Sequence, residues 1–149
     1  MIDSFAHILR RSFFVSLYAF LESQLAKECE DRKGDDVLLR LSDLRGDVIH
    51  RVKTYMVKVL RISFPSTSPE WQRIRCYRIL RNCIVHNEGR LDERFDQNDA
   101  KSLKDYIDDT STLSLSDVTV VLSKDFCEEA LQTVERFFRL LYKPWLASM

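Results

Sequence analysis

Chain breakers are scarce here: three glycines and three prolines in 149 residues. So few breakers argue against the frequent turns of an all-β chain and favour long helices. Charge of one sign is also lacking, since 23 Lys and Arg stand against 23 Asp and Glu. A diffuse grip on long nucleic acid needs a basic surplus, so any nucleic-acid contact has to be local. The apolar run from Phe13 to Leu21 falls well short of the roughly 20 residues that span a bilayer. The opening Met-Ile-Asp-Ser has no basic stretch of the kind that begins a secretion signal. Cys29, Cys76, Cys83 and Cys127 form no Cys-x-x-Cys pair, and no His stands at zinc-ligand spacing from them. A Gly-rich phosphate loop is missing as well. The expectation is a reduced, cytoplasmic protein that uses neither a metal nor another cofactor.

What is present is an ordinary globular composition, 45% hydrophobic and 31% charged, which argues against disorder. The length suits one domain over residues 1–149. A first helix is expected from Asp3 or Ser4, either able to cap it, to about Arg32. Phe14, Leu17, Leu21 and Leu25 make one apolar stripe along it. The segment Phe13 to Leu21 is apolar nearly all round, so this helix should bury more than one face, as a central helix or one shared with a second subunit would. After the connector Lys33–Asp36 comes a short apolar piece, Val37 to Leu44, which Gly46 breaks. A second helix is expected from about Asp47 to Ile62, with Val48, Val52, Tyr55 and Val59 on one face and Met56 and Leu60 beside them.

The loop Phe64–Thr67 leads to Ser68-Pro69-Glu70, a cap, a first-turn proline and a first-turn acid. That third helix should run through Trp71 to about Asn87, with Gly89 ending it. Asn98 or Asp99 can cap a short helix to Ile107. Leu113, Leu115, Val118, Val120 and Leu122 alternate about Ser116-Asp117 as a small hairpin does. Cys127, Ala130, Val134, Phe137 and Leu141 then mark a last helix from Lys124 to Tyr142, stopped by Pro144. The fold class is mainly all-α: a bundle of four to five helices with a β-hairpin before the C-terminal one.

Only His titrates near neutral pH unperturbed, and there are three. His7 suits a surface or interface role near the start of the first helix. His50 and His86 each follow an arginine at the same interval, Arg45 and Arg81, so the interval alone decides nothing. Their surroundings differ. Arg45 precedes Gly46 at a helix boundary, whereas Arg81 closes the series Arg73, Arg75, Arg78, Arg81, with Arg90 beyond. Between Trp71 and Arg90, five arginines face one acid, Glu88. At about 100° per residue, Arg75, Asn82 and His86 fall within roughly 40° of one another, flanked by Arg78. Ile74, Tyr77, Leu80 and Ile84 take the core-facing arc, and Arg81 sits at the edge. Most arginine stripes are merely solvated faces, and a His near a helix end is common without catalysis.

The block Leu80-Arg81-Asn82-Cys83-Ile84-Val85-His86-Asn87-Glu88-Gly89 resembles the signature of HEPN domains: Arg, a polar residue, three variable positions and His. Phe14 to Glu22, Glu70-Trp71, and a hairpin leading into Asp125-Phe126-Cys127 are similar to prokaryotic members. The likeness covers most of the chain, but only Arg81 to His86 is specific. It implies a helical bundle, a homodimer whose Arg and His pairs share a cleft, and a metal-independent endoribonuclease of the kind found in toxin–antitoxin, anti-phage or RNA-processing systems. A cognate antitoxin or a larger defence complex is then an expected partner. Some members are inert modules that bind a protein, nucleotide or RNA, and that is the alternative. Members silenced by nucleotidyl transfer carry Tyr where this chain has Glu88, so that control is not expected.

On this reading Arg81, Asn82 and His86 are catalytic, and the substrate is single-stranded or looped RNA. The imidazole serves as base for a ribose 2′-hydroxyl or acid for the leaving oxygen. The guanidinium braces the phosphate. Asn82, one turn before His86, either orients it or bonds the phosphate. Arg75, Arg78 and Arg90 are candidates for steering the RNA backbone, and His50 takes no part in bond breaking.

Overall fold

A computed structural model gives the backbone of residues 2–147 and the side chains of 4–147. The breaker-free opening of the chain becomes α1 (Ile2–Arg32). This helix is already under way at Ile2, so neither Asp3 nor Ser4 stands at its start. Phe14, Tyr18, Leu21, Leu25 and Cys29 form its buried face at helical spacing. On the opposite side Phe5, Ile8 and Leu9 are 66%, 60% and 62% exposed, and Phe13 and Phe20 are exposed too. The all-round apolar character thus has one face for the core and one that the chain leaves uncovered.

Val37 to Leu44 is irregular apart from one 3-10 turn, Leu41–Asp43. The next helix, α2 (Val48–Thr54), is capped by Asp47 and widens into a π-helical stretch, Tyr55–Val59. Ile49, Val52, Tyr55 and Met56 are its buried residues, and the Tyr55 hydroxyl donates to the Leu39 carbonyl at 2.7 Å. Arg61, in the left-handed region at φ 53°, turns the chain out of it.

The Ser-Pro-Glu signal starts α3 (Pro69–Asn87) as expected, with Ser68 Oγ accepting from the Trp71 N–H at 3.1 Å. The short α4 (Gln97–Asp109) begins earlier than the sequence suggested. Its cap is Asp96, whose carboxylate accepts from the Asp99 N–H. Strands β1 (Leu113–Ser116) and β2 (Thr119–Leu122) pair antiparallel, Leu113 opposite Leu122 and Ser116 opposite Thr119. Their two-residue turn is Asp117-Val118, one residue later than expected, and Asp117 takes the left-handed φ of 56° that such a turn requires. A lone hairpin is marginal in water. This one survives by packing β2 on α1 and β1 on α4.

The last helix, α5 (Lys124–Ala147), does not stop at Pro144 but carries it inside. Proline removes one helical hydrogen bond and crowds the preceding turn. The contacts of Trp145 offset this: its indole is buried and the Arg32 guanidinium stacks 3.5 Å over its ring. The helices close on one apolar core, with α1 touching α2, α3 and α5. Phe14, Tyr77 and Phe126 meet one another at centroid separations of 5.5, 5.4 and 5.7 Å, locking α1, α3 and α5 together. No helix among the described residues is long and apolar enough to cross a membrane.

Candidate functional site on the third helix

Packing fixes how α3 is turned. Trp71, Ile74, Tyr77, Leu80 and Cys83 are buried along one side, while Ile84 is only half-buried. Trp71 stacks on Phe137 and meets Phe64 edge-on, so the first turn cannot roll. Arg75, Val85 and His86 consequently face solvent, with Arg78, Arg81 and Asn82 half-buried between the two sides. A rise of about 1.5 Å per residue sets His86 about 7.5 Å along the axis from Arg81.

The far end of α3 is tied down more firmly than a helix terminus usually is. Glu88 and Gly89 both have positive φ, 56° and 77°. The Gly89 N–H reaches back to the Cys83 carbonyl at 2.9 Å. From α1, Arg11 donates to the Glu88 carbonyl at 3.1 Å and to the Val120 carbonyl at 3.2 Å. Burial lowers the pKa of this guanidinium, against the neighbouring Cys83 thiol, which raises it. One arginine therefore links α1, the turn after His86 and the hairpin. A non-glycine residue in the left-handed region costs about 1–2 kcal/mol, and Glu88 bears that cost two residues after the imidazole.

Arg81 and Asn82 form a unit. Arg81 Nη1 donates to Asn82 Oδ1 at 3.0 Å, so the amide oxygen holds the guanidinium. No described residue hydrogen-bonds the His86 ring. The half-buried carboxyl of Glu22, on α1, faces the same cluster. Burial raises its pKa, Arg81 and Arg51 pull it down, and Asp47 pushes it up. Next to it the Tyr18 hydroxyl and Arg51 Nε are buried without a hydrogen-bond partner. Sequence reasoning passed over this polar layer, although a signal was there: Glu22 is the one charged residue between Arg11 and Lys27.

The expected backbone-steering arginines fare differently. Arg75 is open to solvent, and among the described residues its side chain hydrogen-bonds only Gln72, at 3.4 Å. Arg78 lies between two acids, 3.8 Å from Asp47 and 3.4 Å from Asp99. Arg90 pairs with Asp92 at 3.3 Å, and Arg94 pairs with the same carboxylate oxygen at 3.3 Å. Asn87 also donates to Asp92, at 3.0 Å. The Asn87 bond, then the Arg94 N–H and the Arg90 and Arg94 side chains, hold the Asp92 carboxyl down at about 2, against a smaller push from burial. Arg90 thus braces the loop behind the site.

His50 is brought against Arg75 and Arg78, along with Lys53, in a cavity between α2 and α3. His7 and Arg10 line a separate groove beside Ser116, Thr119 and Val121. Cys29 and Cys83 are buried free thiols, and Cys76 and Cys127 are half-buried. Among the described residues no group of three or more His, Cys, Asp or Glu is placed to hold a metal ion.

Chemically, α3 carries an exposed imidazole that no described residue hydrogen-bonds and, five and four residues before it, a guanidinium–amide pair. The imidazole can move a proton, and the guanidinium can neutralise charge on phosphoryl oxygens. No protein-family model, no curated protein and no solved structure matches the chain.

Proposed function

We propose that this chain is a metal-independent endoribonuclease of the HEPN type. It acts in the cytoplasm as a homodimer and cuts single-stranded or looped RNA. Its biological setting is that of a toxin or anti-phage effector, restrained by a cognate antitoxin or a larger complex. The observation that carries this reading is His86: exposed, without a hydrogen-bond partner among the described residues, and following an Arg81 already held by Asn82.

Cleavage proceeds by transfer within the RNA. One imidazole takes the proton of the ribose 2′-hydroxyl while the 2′-oxygen bonds to phosphorus. The bond from phosphorus to the 5′-oxygen breaks, and a second imidazole, protonated, gives that oxygen its proton. The products carry a 2′,3′-cyclic phosphate and a 5′-hydroxyl. Arg81 bonds the phosphoryl oxygens as charge gathers on them, and Asn82 keeps the guanidinium aimed. Each chain supplies one His86, so base and acid come from two subunits.

The uncovered side of α1 supports the pairing. Phe5, Ile8, Leu9 and Phe13 lie on the half of α1 that Arg11 fastens to the turn after His86. A twofold contact along this stripe sets the two His86 rings at one groove. Covering each such large apolar side chain is worth up to about 1.5–3 kcal/mol.

The test is incubation with single-stranded RNA in excess chelator. Wild type cuts and leaves cyclic phosphate ends. His86→Ala loses about 10²- to 10⁴-fold in rate, and Arg81→Ala about 10²- to 10³-fold. Equal cutting by all three proteins would expose a contaminating nuclease. No cutting at all would favour the binding-module alternative.

A further inference from the structure

The cavity between α2 and α3 has a volume of about 360 Å³ and is lined by Asp47, Ile49, His50, Lys53, Trp71, Arg75 and Arg78. Its polar lining is almost wholly one of donors and cations. Asp47, the one acid, is already engaged: one carboxylate oxygen accepts from the His50 N–H at 3.1 Å, and the other lies 3.8 Å from Arg78 Nε. Lys53 has no acidic partner among the described residues, and Arg75 has only the Gln72 amide oxygen. Trp71 is 2% exposed, and its indole N–H is buried with no hydrogen-bond partner among the described residues. A cavity walled by donors and cations suits an anion rich in acceptor oxygens.

Placement names the anion. Arg75, Asn82 and His86 share one face of α3, so the cavity lies in line with the guanidinium–amide pair and the imidazole. From Arg75 to His86 the helix rises about 16 Å. A stacked strand covers that distance in about five nucleotides at about 3.4 Å each, and an extended strand in fewer. A protein with 23 cationic and 23 anionic side chains has no diffuse basic field with which to hold a strand. It needs discrete pockets.

We propose that the cavity between α2 and α3 is a phosphate-binding subsite, in which His50, Lys53 and Arg75 hold a backbone phosphate of single-stranded RNA some nucleotides from the bond at His86. The placement of the scissile bond rests on the nuclease reading, whereas phosphate binding does not. His50 and Lys53 have no part in bond breaking. They set how the strand lies across α3.

The test uses a short single-stranded RNA carrying 2′-O-methyl groups, which is bound but not cut, followed by fluorescence anisotropy. Lys53→Ala and His50→Ala each weaken binding by roughly threefold to tenfold, and Lys53→Ala lowers the slope of log affinity against log salt by about 0.7, the value for one phosphate contact on a single strand. Lys101→Ala, on an exposed part of α4, changes neither. Unchanged affinity in both cavity variants, with the helical circular-dichroism signal intact, overturns the proposal, as does failure of wild type to bind the probe. Adenosine 5′-monophosphate binding as tightly as the oligonucleotide would make the occupant a free nucleotide and overturn the strand assignment. Because the probe is uncut, a wild type that binds it through the cavity but cleaves no RNA refutes the nuclease reading and leaves the subsite standing.

Discussion

Single side chains divide into those free for chemistry and those already committed. His86 and Arg75 are free to meet a ligand, while Arg78 and Arg90 are paired with acids. Arg81 is intermediate: its bond to Asn82 restricts its rotamers without cancelling its charge. This distinction was out of reach for charge counting, which gave all five arginines between Trp71 and Arg90 equal weight. The Asp92 that binds Arg90 stands only two residues after it, so part of the pattern was legible. Asp92 also provides a measurable quantity. Its folded carboxyl titrates at about 2, below the roughly 3.9 of an unfolded chain. A depressed folded value stabilises the protein above the unfolded value, and the gain is lost as pH falls toward the folded one. Wild type should therefore outlast Asp92→Asn in urea by a constant margin above about pH 5, and the margin should shrink from about pH 4 downward. A margin that stays flat or grows in acid contradicts the assignment.

At the scale of elements, α3 is a rod fixed at both ends. Its start was plain in the sequence because Ser68-Pro69-Glu70 acts locally, through a cap, a preset φ and the helix dipole. Its end was half plain: Gly89 does have a positive φ, but Glu88 enters the left-handed region first, held there by Arg11 from a distant helix. The end of α5 misled for the same reason. Proline's local effect argues for a stop at Pro144, while the contact that keeps the turn comes from Arg32. A Cβ at Gly89 would run into the Arg11 guanidinium and force a strained φ. Gly89→Ala should thus lose about 1–3 kcal/mol of stability by urea denaturation. It should also slow RNA cleavage, because the turn behind His86 shifts. Stability equal to wild type would show that Arg11 does not clamp this turn.

For the whole molecule, the balance of charge and the double-sided α1 belong to one account. Of the apolar stripe opposite the core, only Phe13 and Phe20 lie in the segment that reads as hydrophobic nearly all round; Phe5, Ile8 and Leu9 precede it, and nothing in the sequence said which face the chain itself would cover. The cavity uniting His50 with Arg75 was illegible, since only the packing of α2 on α3 brings them together. The central claim is that one cleavage site holds two imidazoles, each from its own copy of the chain. Co-refolding wild type with increasing proportions of His86→Ala at constant total protein, and assaying RNA cleavage, tests it most directly. Random pairing predicts that activity follows the square of the wild-type fraction, so an equal mixture keeps about a quarter of the activity. Activity proportional to that fraction, about half in the equal mixture, would show that each chain cuts with its own histidine alone and would contradict the shared site.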